Sequence, residues 1–370
     1  MLSIDRSLAD LPAGSRVVVA MSGGVDSSVA AAVMVERGFE VVGVTLRLYD
    51  SGGGPRRAGA CCAGADIKDA AAVAQRLKIP HFVLDYAERF KQSVIQPFAD
   101  AYAAGETPVP CIACNRTVKF ADLLKTAKDL GAAALVTGHY LIRARLGEAV
   151  ALYQAADSTR DQSYFLFATT REQADYLRFP LGGLASKSVV RQLAQHYGLV
   201  VQDKPDSQDI CFVPHGRYDD IVSKLRPDTV QAGDIVLTDG TVLGRHNGIS
   251  GFTVGQRRGL GIAHPEPLYV VRLDRAKAQV VVGPREALAV TRFGLGDCNW
   301  LVERAELLGD DLTVKIRSTQ PALPARLEWD EEDNCQVVMA DSALGVAPGQ
   351  AAVFYQGQRM LGGGFIRKAG

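Results

Sequence analysis

Ala20-Met-Ser-Gly-Gly-Val-Asp-Ser-Ser28 is the stretch on which the fold turns. The apolar run Arg16-Val-Val-Val-Ala-Met21 leads into it and reads as a buried β-strand; an alanine-rich helical pattern, Val29 to Arg37, leads out. Strand, glycine-serine turn and helix N-terminus together make an anion site. Gly23 and Gly24 let the backbone approach a phosphate with no Cβ in the way. The helix starting near Asp26 offers unpaired N–H groups and a positive dipole end, and the hydroxyls of Ser22, Ser27 and Ser28 add donors. The plainer reading is a capped helix after a strand, since Ser and Asp are also good N-caps. The stretch has neither the Lys of a Walker A loop nor the spacing of G-x-G-x-x-G.

Bulk composition narrows the class. At 370 residues, two or three domains are expected. Hydrophobic residues at 47% and charged residues at 22% are ordinary for a globular chain. Lys+Arg and Asp+Glu are both 41, which excludes a uniformly basic nucleic-acid protein but not a local basic face. No apolar run nears the roughly 18 residues of a membrane span, and the early acids of the N-terminus argue against a signal peptide. Seven cysteines, an odd count in a large chain, do not suggest a secreted disulfide framework. The expected compartment is the reducing cytoplasm.

The first half alternates strand patterns (Arg16–Met21, Glu40–Leu48, His81–Asp85, Ala133–Thr137) with helical ones (Val29–Arg37, Ala65–Leu77, Ala87–Ala104, Arg116–Leu130). Such alternation implies an α/β domain with a parallel, Rossmann-like sheet whose ligands bind at the carboxyl ends of the strands. The loop after the first strand and Gly138-His-Tyr140 should meet there. After about residue 205 short runs of Val, Leu and Ile between glycines replace the helices, reading as two small, mostly β, barrel-type domains. The expected boundaries are 1–208, 209–286 and 287–370. Ser51 to Gly59 reads as a surface loop, and Cys61 and Cys62 as small, half-buried apolar residues.

Two segments hold cysteines that can carry chemistry. Thr107-Pro-Val-Pro-Cys-Ile-Ala-Cys-Asn-Arg116 contains the pair Cys111 and Cys114. A helical pattern begins at Asn115–Arg116, so a thiol at that N-terminus should gain thiolate character. A zinc site needs a second ligand pair, and no other C-x-x-C exists. Cys211 follows the acid- and turn-rich Asp203-Lys-Pro-Asp-Ser-Gln-Asp209; alone, it reads as a core residue of Ile-Cys-Phe-Val. Basic candidates for a nucleic-acid face are Arg116, Lys119, Lys125 and Lys128, Arg143 and Arg145, and Arg257-Arg258.

Resemblance sharpens these readings. SGGVDSS resembles the PP-loop of ATP pyrophosphatases, which cleave ATP between the α- and β-phosphates. With TPVPCIACN, TGHY, DQSYFL, DSQDICF, GQRRGLGI, PGQAAVFY and LGGGFI in that order, the chain from 16 to 366 resembles the tRNA-specific 2-thiouridylases (MnmA/TrmU family). The resemblance implies an enzyme, a tRNA-uridine 2-sulfurtransferase, that replaces O2 of a wobble uridine by sulfur through an adenylated uridine. Its partners would be the tRNA anticodon stem-loop and a sulfur-donor protein, a cysteine desulfurase or a relay.

By the same resemblance Ala20, Met21, Ser22, Gly23, Gly24, Val25, Asp26, Ser27, Leu46 and Gly138 match nucleotide contacts. Mg²⁺ accompanies the ATP, with Asp26 the carboxylate nearest it. Cys114 matches the nucleophile and Cys211 the persulfide carrier, and the two are expected to form a disulfide as sulfur is delivered. His139, Arg160, Asp161, Gln162, Arg317, Ser318 and Gln350 match positions near tRNA. The chain departs from one form of the family at Cys111, where an Asp stands, at Val109, where an Asn stands, and at Ser318, where a Tyr stands. Cys111, Cys114 and Cys211 also make the ligand set of a [4Fe–4S] cluster with one iron open. The PP-loop alone is equally compatible with a different enzyme of that superfamily, such as an amidotransferase synthetase or a tRNA lysidine synthetase. The β segments would also suit a non-catalytic tRNA-binding or sulfur-relay module.

Overall fold

In the computed structural model, described over residues 8–49, 64–205, 210–213, 218–227 and 231–367, the chain divides into two compact units. One comprises Met1–Ser93, Cys111–Pro214 and Gln358–Met360; the other comprises Val94–Pro110, His215–Gly357 and Leu361–Gly370. The glycine loop 51–59, Cys61, Cys62 and residues 206–209 lie outside the described residues.

The first unit contains strands β1 (Arg16–Ala20), β2 (Glu40–Arg47), β3 (His81–Asp85) and β4 (Ala134–Val136), an antiparallel hairpin β5 (Ile142–Leu146) and β6 (Ala149–Tyr153), and β7 (Leu177–Arg178). A five-stranded sheet runs in the order β3-β2-β1-β4-β7, and its four pairings are all parallel. Val17, Val18 and Val19 pair with Val41, Val42 and Gly43 on one side and with Ala134, Leu135 and Val136 on the other. All three valines are fully buried, which is why β1 reads as a continuous apolar run rather than an alternating one. The chain leaves β1 for β2 on one side, while β4 flanks it on the other, so a crevice opens at the carboxyl end of β1.

Helix α1 (Val25–Glu36) follows β1, and Ser27 to Met34 are buried without interruption. A helix apolar all round must be covered all round; the sheet, α2 (Gly64–Leu77) and a later helix, Lys187–His196, pack against it. The expected helix Ala87–Ala104 is instead α3 (Ala87–Phe90), a π-helical turn Lys91–Ile95, and α4 (Gln96–Ala103), which groups with the second unit. Pro97, in the first turn of α4, lacks the N–H that an unbroken α-helix needs there. The next helix starts earlier than expected, as α5 (Pro110–Cys114), with Pro110 at the first position, which its fixed φ suits. It continues as a π-helical stretch, Asn115–Asp122, and α6 (Leu123–Asp129). Two further helices are α7 (Arg171–Tyr176) and α8 (Lys187–His196).

In the second unit β8 (Gly233–Leu237), β9 (Val242–His246), β10 (Tyr269–Asp274) and β11 (Gln279–Gly283) form a sheet ordered β10-β11-β8-β9. It packs around Ile235, Val270, Val280 and Val282. Six more strands follow: β12 (Ala289–Trp300), β13 (Leu312–Lys315), β14 (Leu323–Trp329), β15 (Cys335–Leu344), β16 (Ala351–Gln356) and β17 (Arg359–Ile366). Their order β12-β15-β14-β13-β16-β17 is closed by a β12–β17 pairing, which makes a barrel. Long β12 achieves this by pairing with β15 from Ala289 to Gly294 and with β17 from Leu295 to Trp300. Phe293, Val314, Val337, Phe354 and Leu361 are among the side chains filling the interior.

Candidate active site at the carboxyl edge of the parallel sheet

The turn after β1 is held by its own serines. Ser27 Oγ accepts from the Ser22 amide (3.1 Å) and lies 3.1 Å from Ser22 Oγ, while Ser28 Oγ donates to the Gly24 carbonyl (2.8 Å). Thr45 Oγ1 on β2 donates to the Met21 carbonyl at 2.8 Å, tying the start of the turn to the sheet. Gly23 has φ +74°, and a Cβ there would sit 2.1 Å from the Asp66 carbonyl oxygen. A Cβ on Gly138, after β4, would lie 2.7 Å from the Ser27 nitrogen. Both glycines are thus needed for close approach, and Gly23 for its turn geometry as well.

Asp26 is not the helix cap: Gly24 occupies that position and no side chain caps it. The Asp26 carboxylate instead meets Lys187 Nζ at 2.7 and 2.8 Å and accepts from the Tyr140 hydroxyl at 2.6 Å. Lys187, at the start of α8, is buried, and its ammonium also lies 5.8 Å from the centre of the Tyr140 ring. A second lysine straps the turn. Lys204 Nζ donates to the Gly23 carbonyl (3.0 Å), Asp66 Oδ1 (2.6 Å) and Asp69 Oδ2 (2.5 Å). Burial disfavours its charge, but the hydrogen bonds to Asp66 and Asp69 outweigh that and raise its pKa above the ordinary lysine value.

Around this turn is a cavity of about 280 Å³. Its floor is the turn itself, from Ala20 to Ser27 without Gly23. Val44, Leu46 and Leu48 make an apolar wall, and Thr137, Gly138, His139 and Tyr140 a second wall. Lys119, Arg160, Gln162 and Lys204 add polar and cationic groups. Nine of the ten positions read as nucleotide contacts therefore line one cavity, together with His139, Arg160 and Gln162, which the resemblance placed near tRNA. Lys187 and Lys204 do not stand out in the sequence, because their carboxylate partners lie far away in it; the one local signal is Lys204 inside Asp203-Lys-Pro-Asp206.

His139 sits with Nδ1 2.9 Å from Thr137 Oγ1 and its ring edge-on to Phe120. Burial, reinforced by the Lys119 charge, pushes its pKa well below that of an ordinary histidine, so the ring is neutral at pH 7. The Asp161 carboxylate accepts from the backbone of Ala155 and Ser163, both at 3.1 Å, and shapes the loop between its neighbours. In the second unit Arg317 donates to the carbonyls of Val254 (3.0 Å) and Gly345 (2.9 Å), and the amide of Gln350 to the Thr107 carbonyl (2.9 Å). Ser318, beside Arg317, is half-buried.

Cys111 is exposed, Cys114 buried and Cys211 half-buried, and all three are thiols. Because the helix begins at Pro110, Cys111 rather than Cys114 occupies its first turn, a correction to the expected start at Asn115–Arg116. Asn115, directly after Cys114, is buried and donates to the Phe165 carbonyl at 3.1 Å. Helix α3 touches both cysteine segments. Phe90 packs edge-on against Phe212, next to Cys211, with centroids 5.7 Å apart. Arg89 Nε bonds Asp122, at the end of the stretch that Cys114 leads into, at 2.9 Å.

The ligand set of an iron–sulfur cluster does not come together in this arrangement. Among the described residues no three His, Cys, Asp or Glu side chains converge to hold a metal, although all three cysteines are described. The carboxylate read as nearest Mg²⁺ is neutralised by Lys187. One basic candidate is also corrected. Arg143 is not surface charge: its side chain is 1% exposed and paired with Asp10 at 2.8 Å and Asp175 at 3.3 Å. Among the described residues no helix is long and apolar enough to cross a membrane.

The fold and its turn define the class, a PP-loop nucleotide-binding enzyme. The family profile described as tRNA methyl transferase HUP domain matches residues 15–215. One described as tRNA methyl transferase PRC-barrel domain matches 221–284, and one described as aminomethyltransferase beta-barrel domain matches 290–366. The tRNA-specific 2-thiouridylase MnmA of Azorhizobium caulinodans is 59% identical over 97% of this chain and 94% of its own length. That of Methylobacterium nodulans is 57% identical over 99% and 97%. The chain belongs to the tRNA-specific 2-thiouridylase family.

Proposed function

We propose that the protein is an ATP-dependent tRNA-uridine 2-sulfurtransferase that works through an adenylated uridine and a cysteine persulfide. The observation that carries this reading is the single cavity that joins the PP-loop to His139, Arg160 and Gln162. Leu46 and its apolar neighbours suit an adenine ring, and the Ser22–Ser27 turn with the α1 N-terminus suits phosphate. The cationic side chains Lys119, Arg160 and Lys204 offset charge on departing pyrophosphate.

Uridine O2 attacks the α-phosphorus, pyrophosphate leaves, and the oxygen becomes part of a good leaving group. The terminal sulfur of a Cys211 persulfide attacks C2 and AMP departs with the oxygen. The Cys114 thiolate then attacks the Cys211 sulfur, which breaks the S–S bond, releases the 2-thiouridine and leaves a Cys114–Cys211 disulfide. Cys111, exposed in the first turn of its helix, is the candidate for proton transfer in place of the carboxylate found in other family members. The target base must leave its stack in the anticodon loop to be reached, and Arg317, Ser318 and Gln350 are assigned to tRNA contact in the barrel segment. In this reading the domains span 1–208, 209–286 and 287–370, the sulfur comes from a donor protein, and the working compartment is the reducing cytoplasm.

The test is incubation with ATP, Mg²⁺, a persulfide source and unmodified tRNA, followed by mass spectrometry of the nucleosides. The expected product is 2-thiouridine, lost in Cys114→Ser and Cys211→Ser while tRNA-dependent pyrophosphate release persists. Full activity in both variants overturns the persulfide route. No pyrophosphate release in the wild type overturns the enzyme reading.

A further inference from the structure

Residues 253–261, between β9 and β10, carry two adjacent cations, Arg257 and Arg258. Their turn is closed by its own hydrogen bonds. The Gln256 amide donates to the Thr253 carbonyl at 2.9 Å, and the Gln256 Oε1 accepts from the Thr253 amide at 3.0 Å. Gln256 Nε2 donates to the Arg258 carbonyl at 2.9 Å. Strand β10 fixes the base of the turn: the Gly255 amide donates to the Val270 carbonyl (2.8 Å), and the Val270 amide to the Gln256 carbonyl (2.9 Å). The backbone and the side chain of Gln256 are thus both spent on holding one shape.

Arg317, which follows β13 in the barrel, pins this turn from outside. Its Nη2 donates to the Val254 carbonyl at 3.0 Å and to the Gly345 carbonyl at 2.9 Å, which uses both hydrogens of that nitrogen. Gly255 and Gly345 make room for it: a Cβ on either would lie 2.9 Å from Nη2, and their φ values are +87° and +74°. The Val254 side chain is buried in a cluster with Leu288 and Ala347. Arg257 and Arg258, by contrast, are exposed, and among the described residues neither side chain has a hydrogen-bond or ion-pair partner. Arg257 also lines an open recess of about 360 Å³ with Gly259, Gly261, His264 and Glu266.

We propose, on the reading of tRNA as the substrate, that this turn is a phosphate-binding edge in which Arg257 and Arg258 meet the RNA backbone and Arg317 is the positioning residue that holds them there. The chain has no net charge, so its hold on a polyanion depends on local cations that no carboxylate neutralises. Guanidinium suits phosphate because its donors lie in a planar fork. A turn already fixed before binding has little entropy left to lose. Arg317, which the resemblance placed near tRNA, acts on the RNA through the turn, because a nitrogen that serves two carbonyls has no hydrogen left for phosphate. The tie needs the fork of arginine; the single ammonium of a lysine keeps the charge but not that geometry.

The experiment titrates the full-length protein with unmodified tRNA by filter binding at several KCl concentrations. With Arg257→Gln and Arg258→Gln combined, affinity falls about tenfold and the slope of log K against log [KCl] becomes shallower by about 1–2, as expected for two lost phosphate contacts. Arg317→Lys alone weakens binding about fivefold, but in the background of the two Gln substitutions it costs less than about twofold. If Arg317→Lys fails to fold, Gln256→Ala serves instead: it loosens the turn without touching the barrel, with the same loss and the same non-additivity. Unchanged affinity and salt slope in the paired Gln variant overturn the phosphate edge. Unchanged affinity in Arg317→Lys, or a loss that persists undiminished beside the two Gln substitutions, overturns the positioning role. A wild-type protein that binds no tRNA at any salt concentration overturns the substrate reading itself, and shows this before any variant is compared.

Discussion

Replacing Lys187 by Met tests the pairing at the heart of the site. Lys187 Nζ lies 2.7 Å from Asp26 Oδ1, with side-chain exposures of 9% for the lysine and 31% for the aspartate. Removing one partner of a fully buried pair costs about 3–5 kcal/mol because the other charge is stranded. Partial hydration of Asp26, and the hydrogen bond it keeps from Tyr140, reduce this to about 2–3 kcal/mol. In a unit of this size that lowers Tm by roughly 4–12 °C. The stranded carboxylate also lies in the cavity assigned to ATP, where its repulsion should raise the KM for ATP about tenfold, the equivalent of about 1.4 kcal/mol. Asp26→Asn in the Lys187→Met background removes the stranded charge and should recover much of both losses, with a coupling of about 1–3 kcal/mol across the double-mutant cycle. Calorimetry and ATP-dependent pyrophosphate release read the two arms. Additive single effects, or a KM that the second substitution does not restore, refute the reasoning.

Three further outcomes follow from the same geometry. Gly23→Ala must adopt φ +74° and place its Cβ 2.1 Å from the Asp66 carbonyl oxygen, so about 2–5 kcal/mol of stability should be lost along with ATP binding measured by titration calorimetry. The depressed pKa of His139 means that the unfolded chain takes up its proton first as pH falls below about 6.5. Stability should therefore decline below that pH, and His139→Gln should flatten the decline by up to about 1.4 kcal/mol per pH unit; parallel Tm–pH curves for the two proteins would contradict this. Arg143→Ala leaves Asp10 paired with Arg145 at 2.9 Å and Arg178 at 3.0 Å, but leaves the buried Ala174 carbonyl, which Arg143 Nε meets at 2.9 Å, without that donor. The expected cost is about 1–3 kcal/mol, read as a drop in the urea midpoint.

The parts of this protein legible in its sequence are those written in short-range pattern. Val17, Val18 and Val19 are buried on both faces and so form an unmistakable apolar run. The turn after them carries its own glycines and serines, and seven of its eight expected nucleotide positions line one cavity with Leu46 and Gly138. What escaped was non-local or broke the expected period. The ion pairs of Asp26 with Lys187 and of Asp66 with Lys204 join residues whose sequence neighbourhoods say nothing of each other. Strand β5, Ile-Arg-Ala-Arg-Leu, alternates rather than running apolar, and its buried Arg143 looks like surface from sequence. Strands β12 and β17 hold two and three glycines, which weaken the apolar strand pattern until their mutual pairing is seen. The helix start at Pro110 escaped because a proline suits a turn as well as a first helical position, and the apolar period becomes visible only from Asn115–Arg116.

The partner change in β12 also sets an order of events during synthesis. Its first half can pair with β15 soon after that strand is made, but Leu295 to Trp300 pair only with β17, the last of the described strands. At roughly 5–20 residues per second, several seconds separate translation of Trp300 from that of Ile366. Through that interval half of β12 is an open edge, a template for pairing with neighbouring chains on the same message. Asp297 is the one charged residue within Leu295–Trp300, and a charge on an open edge discourages such pairing until the native partner arrives.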